Sequence, residues 1–191
     1  METQLTISSI AKKEVEVFVT LGAAPGCLAD VSKIPFVTKK ISALMGSFIL
    51  KPRSRTQAYA PRRLGFCANL SFGTPPLNCP TPEFPNGVNL FEFILNNAFQ
   101  GANAQETIDI SCVAGVNCHI GAHLGGKTWN AGPTKPAVTN IENGPIGTNS
   151  GRVGVYPVGC DVCTGSEDPP ECPNGLSPET PQAAAICNVQ R

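Results

Sequence analysis

The chain has 191 residues, of which 41% are hydrophobic and 15% charged, and its formal net charge is zero. That is enough apolar material for one buried core and too little charge for disorder by self-repulsion. No stretch approaches the roughly 18 consecutive apolar residues of a membrane-spanning helix.

Glycine (19) and proline (18) are abundant without a collagen-like period. That combination predicts short strands separated by many turns, an all-β chain. Charge is unevenly placed. Residues 1–63 hold ten of the fourteen Lys and Arg but four of the fourteen Asp and Glu, and residues 64–191 reverse the balance. Two faces of one neutral protein are the simpler reading of this asymmetry, ahead of an anionic partner.

Residues 4–21 read as two strands with Lys12-Lys13 turning between them. Leu5, Ile7 and Ile10 are expected to face inward on the first, and Val15, Val17 and Val19 on the second. Pro25-Gly26 closes this unit. Further strands are predicted near 34–38, 46–51, 56–60 and 66–72, with Lys51-Pro52-Arg53-Ser54 and Ala60-Pro61-Arg62-Arg63 as turns. Lys51, Arg53, Arg55, Arg62 and Arg63 are a basic patch with Tyr59 between them. Nucleic-acid binding would use such a stripe, but a solvated basic edge that deters strand pairing fits the prolines better. Asn69-Leu70-Ser71 fits the glycosylation acceptor pattern, which matters only in a secreted chain.

Residues 73–89 are a loop, broken by Gly73, Pro75-Pro76, Pro80, Pro82, Pro85 and Asn86-Gly87. Residues 89–99 fit two periods. Asn89 and Glu92 imitate a helix capping box above an apolar face of Leu90, Phe91, Ile94, Leu95 and Ala98, and the residues alone tilt toward helix. A strand is the alternative. Glu106 to Asn117 alternates apolar and polar residues through Ile108, Ile110 and Val113 and stops at Gly115, a strand running into a tight turn that holds Asp109 on one face. From 125 onward the chain reads as loop, interrupted by one short strand from Val153 to Tyr156, and no internal repeat is evident.

The segment Leu90-Phe91-Glu92-Phe93-Ile94-Leu95-Asn96, a polar spacer, and Ile108-Asp109-Ile110-Ser111-Cys112-Val113-Ala114-Gly115-Val116-Asn117 resembles the hairpin of thaumatin-like proteins, which reads roughly LAEFTLN and then DISLVDGFN. The resemblance is specific over about thirty residues, 87–117. It implies an all-β, thaumatin-like β-sandwich over 1–160, followed by a loop-rich, cysteine-containing tail over 161–191. It also turns 89–99 from helix to strand. Members of that family carry an acidic cleft that accommodates β-glucan or other ligands. The family's Glu matches Glu92 and the Asp of its DIS strand matches Asp109. Its DGFN aspartate is replaced by Ala114, and Gln100 to Ala104 lengthen the spacer.

The functional expectation is therefore a non-enzymatic, defence-related protein that binds a β-glucan-like polysaccharide through Glu92 and Asp109. The alternatives are a weak β-1,3-glucanase using the same two carboxyls, and an intracellular member that keeps the fold with a degenerate cleft. Two opposed acids could serve glycoside hydrolysis, but ligand contact or plain solvation is the simpler reading. No cofactor, metal, nucleic acid or membrane partner is expected, and a monomer is.

His119 and His123 lie near Cys112 and Cys118, and Cys160-Asp161-Val162-Cys163 is a CxxC. Gly121 between the histidines and the absence of zinc-finger spacing argue against a metal site. Adjacent residues of a strand point to opposite faces, so Cys118 and His119 are not read as a thiolate–imidazole pair. Nine cysteines favour an oxidising compartment. The N-terminal residues show no basic start followed by an apolar run, which would make the chain cytoplasmic as it stands, or extracellular if a leader precedes it. Cys160, Cys163, Cys172 and Cys187 crowd a proline-rich tail and are expected to lie close together, joined by disulfides or by a shared zinc. Cys27 is the candidate for a free or differently paired thiol.

Overall fold

The computed structural model describes residues 4–22, 25–59, 65–95, 106–124, 127–132, 142–143, 150–156 and 184–190. Among these residues, thirteen strands run in chain order: β1 (Gln4–Ser9), β2 (Val15–Leu21), β3 (Lys39–Lys40), β4 (Met45–Leu50), β5 (Arg55–Tyr59), β6 (Phe66–Phe72), β7 (Leu90–Leu95), β8 (Glu106–Ser111), β9 (His119–Leu124), β10 (Lys127–Ala131), β11 (Glu142–Asn143), β12 (Ser150–Tyr156) and β13 (Ala184–Gln190). One 3₁₀ turn, Val31–Lys33, is the only helical element among the described residues. The strands form two sheets. One is ordered β10-β9-β13-β1-β5 and the other β11-β12-β8-β7-β6-β2-β4-β3. Neighbours pair antiparallel, except that β12 runs parallel to β8 and β13 parallel to β9.

The two sheets share one core, which makes the architecture β-sandwich-like. Leu5 and Ile7 from β1 and Ile120 and Ala122 from β9 belong to the same buried cluster as Val17, Val19, Phe48, Leu70, Phe72, Phe91, Phe93, Ile108 and Ile110 of the larger sheet. Period-two alternation produces this directly, because every second side chain of a strand meets the opposing sheet. Each large side chain withdrawn from water contributes about 1.5–3 kcal/mol. Phe66 and Phe93 meet edge-on with ring centroids 4.9 Å apart, a favoured quadrupole arrangement.

β1 and β2 form where the alternation puts them, but in different sheets. Residues 10–14 carry the chain across the sandwich. The inward assignments hold for Leu5, Ile7, Val15, Val17 and Val19 and fail for Ile10, which is 54% exposed. Ile10 lies just past the last rung of β1, so no opposing sheet remains to cover it. The strand expected at 34–38 is absent. Val31, Ile34, Phe36 and Val37 instead fold back as a turn that plugs the core beside β4, where Pro35 could not have donated to a ladder. Phe36 packs edge-on against Phe48 at 4.9 Å.

That plug sits on Gly46. A Cβ there would lie 2.5 Å from Val31 Cγ2, 2.6 Å from Val37 Cγ1 and 2.8 Å from the Lys39 carbonyl. Gly46→Ala is therefore expected to overpack the core at a cost of about 1–3 kcal/mol, read as a lower urea midpoint at unchanged m. An unchanged midpoint would show that the plug yields freely.

Residues 89–99 are a strand as far as they are described, β7, so the helix favoured by the residues alone is corrected. β7 buries Leu90, Phe91, Phe93 and Leu95. Apolar residues on both of its faces imitate a helical stripe. In β8 the buried alternation continues from Ile108 and Ile110 to Cys112, not to Val113. The region after 125 holds more than the one expected strand. β10 pairs with β9, and β13 runs between β1 and β9, with Cys187 in register with Ile7 and Ala122. Part of the expected tail is thus a strand inside the smaller sheet. Cys160, Cys163 and Cys172 lie outside the described residues.

Cys27 is bonded to Cys67 across 40 residues, so it is not a free thiol. Closing a loop of that length contributes roughly 2–4 kcal/mol by restricting the unfolded chain. Cys79 is also held in a disulfide.

Candidate functional site: a polar row on the outer face of the larger sheet

The site is built from four central strands. In their ladders Thr20 lies directly opposite Asn69, Asn69 opposite Glu92, and Glu92 opposite Asp109. Directly opposed residues share a face. Ile108, Ile110, Phe91, Phe93, Ala68, Leu70 and Val19 fill the core, so their neighbours in sequence form a polar row on the far side of the sheet. Phe18, Ser71, Leu90 and Ser111 lie along one flank of the row, and Cys67, with its disulfide, and Ile94 along the other.

Glu92 and Asp109, the two residues singled out in the sequence, are brought together by this register. Asp109 is 8% exposed and Glu92 half-buried. Burial pushes the Asp109 carboxyl well above the usual range, and the negative charge of Glu92 and the hydrogen bond between the two carboxyls push the same way. Burial also raises Glu92, while its hydrogen bond to Asp109 opposes the rise. The physical result is a coupled pair that tends to share one proton, because two adjacent buried carboxylates cannot both ionise cheaply. Asp109 Oδ1 is buried with no hydrogen-bond partner among the described residues, and so is Thr20 Oγ1 at the other end of the row. An unsatisfied buried acceptor costs about 1–3 kcal/mol.

The entry into β7 and the turn after β8 are fixed by a clasp that sequence reasoning missed. Gly87-Val88-Asn89 and Gly115-Val116-Asn117 are the same tripeptide, and they lie antiparallel against each other. Gly87 and Gly115 form an isolated bridge. Val88 N donates to the Ala114 carbonyl at 3.0 Å, and Val116 N to the Asn86 carbonyl at 2.9 Å. Each asparagine then takes the other's backbone. Asn117 N donates to Asn89 Oδ1 at 3.2 Å and Asn89 N to Asn117 Oδ1 at 3.4 Å. Asn89 Nδ2 donates to the Cys118 carbonyl at 2.9 Å, and Cys118 N returns a bond to Asn89 Oδ1 at 3.2 Å. Asn117 Nδ2 reaches the Phe72 carbonyl at 2.8 Å, tying in the end of β6. The repeat was the available signal, but at three residues it is short enough to pass unnoticed. Ala114, where the resemblance would place a third acid, is 4% exposed and packs with Val88 and Leu90.

The other sequence candidates separate. Cys112 and Cys118 are buried on the core side, whereas His119 is half-buried and His123 exposed on the outer side of β9. Positions four apart on a strand lie about 13 Å apart along it, too far for one ion. Among the described residues no group of three or more His, Cys, Asp or Glu is placed to hold a metal. Asn69 stands mid-strand and half-buried, and Ser71 donates to the Thr74 carbonyl at 2.7 Å, so the acceptor triplet is part of the ladder. No helix among the described residues is long and apolar enough to cross a membrane.

Comparison with protein-family models, with curated proteins and with solved structures finds no match to this chain.

Proposed function

We propose that the chain is a thaumatin-like β-sandwich that binds a neutral, hydroxyl-rich polysaccharide of the β-glucan kind on the outer face of its larger sheet, without hydrolysing it. The observation that carries this reading is the directly opposed Glu92–Asp109 pair, whose Glu92 member is only half-buried and stands directly opposite Asn69. A sugar hydroxyl donates and accepts, so it can bond to the half-buried Glu92 carboxyl and take a further bond from Asn69 directly opposite it. The resemblance over 87–117 points to the same two carboxyls. Hydrolysis fits the pair less well. Glycosidases hold their carboxyls about 5 Å or more apart, flanking the scissile bond, whereas these two are hydrogen-bonded to each other. The Cys27–Cys67 and Cys79 disulfides favour an oxidising, extracellular setting.

A laminarin pull-down run beside a reducing-sugar assay tests this. Wild-type protein is expected to bind and to release no reducing ends, and Glu92→Gln to bind about tenfold more weakly through loss of a charge-assisted hydrogen bond. Turnover abolished by Glu92→Gln would replace the reading with a glucanase. Neither binding nor turnover would leave a member of the fold with a degenerate cleft.

A further inference from the structure

Two connections that are distant in the sequence lie side by side at one end of the sandwich. Residues 10–14 cross from the smaller sheet to the larger, and residues 51–54 cross back from β4 to β5. Because β1 pairs with β5 and β2 with β4, the two crossings must be neighbours. The registers fix them closely. Ser8 is opposite Arg55, Val15 opposite Leu50, and Ser9 N donates to the Ser54 carbonyl at 2.8 Å.

This juxtaposition gathers Lys12, Lys13, Lys51, Arg53 and Arg55, all exposed, with Glu14 as the acid between them. The two ion pairs among the described residues, Lys39–Glu16 and Lys40–Asp30, lie elsewhere, and none of the five cations is in one. The tip is held open: Ser54 N and Oγ both bond the Lys51 carbonyl, and Arg53 adopts the left-handed conformation at φ 53°. A non-glycine residue in that region is uncommon and is kept by its surroundings. Protection of a sheet edge accounts for Arg55, which lies on the edge strand β5. It does not account for the four cations on the crossings, which lie on no edge.

We propose that this end of the sandwich is a second binding surface, for an acidic polysaccharide bearing carboxylate or sulfate groups. Five cations against the single acid Glu14, on one surface of a chain with zero net charge, form a local positive field, which attracts a polyanion through release of its counterions. Exposed lysine and arginine side chains suit an irregular row of anionic groups, and arginine pairs with carboxylate or sulfate through two donors. One observation favours polysaccharide over nucleic acid: disulfides persist in an oxidising compartment, where acidic polysaccharides are the abundant polyanions.

The test uses the whole chain on immobilised polygalacturonate and on heparin, with affinity followed against salt. Wild-type protein is expected to bind at low salt, with a log–log slope that shows several released counterions. The triple substitution Lys12→Ser, Lys51→Ser, Arg53→Ser is expected to weaken binding at least tenfold and to flatten that slope. Removing three cations elsewhere, by Lys33→Ser, Lys39→Ser and Lys40→Ser, is expected to leave both nearly unchanged. All six side chains are exposed, and circular dichroism confirms that each variant is folded. Laminarin binding, assigned to Glu92 on the outer face of the larger sheet, should not change in the first triple variant, so the two surfaces fail or hold separately. Lack of binding by wild type, equal losses in the two triple variants, or a preference for single-stranded DNA or anionic vesicles over both polysaccharides would each overturn the proposal.

Discussion

Alanine at Gly87 or at Gly115 is expected to be the most damaging single substitution in the described part of the chain, costing more than about 4 kcal/mol, out of a total stability of roughly 5–15 kcal/mol for a domain. A Cβ at Gly87 would lie 1.5 Å from the Ala114 carbonyl oxygen and 2.6 Å from its carbon, and one at Gly115 would lie 2.1 Å from the Asn86 carbonyl oxygen. The obstructing atoms are backbone, so no rotamer change relieves them. Both glycines also have positive φ, +63° and +110°, where a side chain adds strain of its own. The two tripeptides must part before either Cβ fits. That would break the Val88 and Val116 hydrogen bonds and undo the asparagine clasp beneath them. Asn89→Ala should cost less, about 3 kcal/mol, because it leaves the Asn117 and Cys118 amides and the Cys118 carbonyl without the bonds they make now. Denaturant melts of the three variants give the order. Gly87→Ala with a wild-type midpoint would mean that the clasp is not closed in solution.

The clasp also shows where the sequence stops being legible. β1, β2, β4 and β6 are readable because each turns alternate apolar residues to the core, and period two survives in the residue order. β7 is ambiguous because Leu90 and Phe91 are both buried, on opposite faces, and Ile94 is half-buried. β9 (His-Ile-Gly-Ala-His-Leu) and β13 (Ala-Ala-Ile-Cys-Asn-Val-Gln) carry few strand-favouring residues. They are strands because they lie against each other and against β1, a non-local pairing that no local window contains. The run Ile34 to Val37 misleads in the opposite sense: it is apolar enough for a strand, but its apolar side chains serve as a plug. For the site, alternation along the chain is enough to place Glu92 and Asp109 on one kind of face. Their direct opposition follows from register, and their shared proton from burial, and neither is written in either strand alone. The basic end is split in the sequence between residues 12–13 and 51–55, and only the paired crossings unite it.

Stability should fall as pH rises above about 4, and Asp109→Asn should abolish most of that fall. In the unfolded chain both carboxyls titrate near 4. In the folded protein burial raises both; the charge of Glu92 and the hydrogen bond between them raise Asp109 further, well above its ordinary value, while that bond opposes the rise of Glu92. Between the unfolded and the folded pKa the native state therefore binds more protons than the unfolded state. The sign follows: the contribution is fully present below the unfolded value and is lost as pH rises toward the folded one, at up to about 1.4 kcal/mol per pH unit per group. The exposed Asp30 acts in the other direction. Its backbone and side-chain hydrogen bonds with Ser32, and then Lys40, hold it at about 2, so its effect is confined to acid below pH 4 and does not overlap. Asparagine at position 109 keeps an N–H for Glu92 at every pH and removes the proton that must be held against the solvent. Urea melts from pH 4 to 8 are expected to show the wild-type midpoint declining, the Asp109→Asn midpoint nearly level, and the variant more stable than wild type at pH 8 by about 1–3 kcal/mol. A variant that is less stable than wild type at pH 8, or that falls with the same slope, would mean that the two carboxyls do not share a proton and that the outer face is wet enough to ionise both.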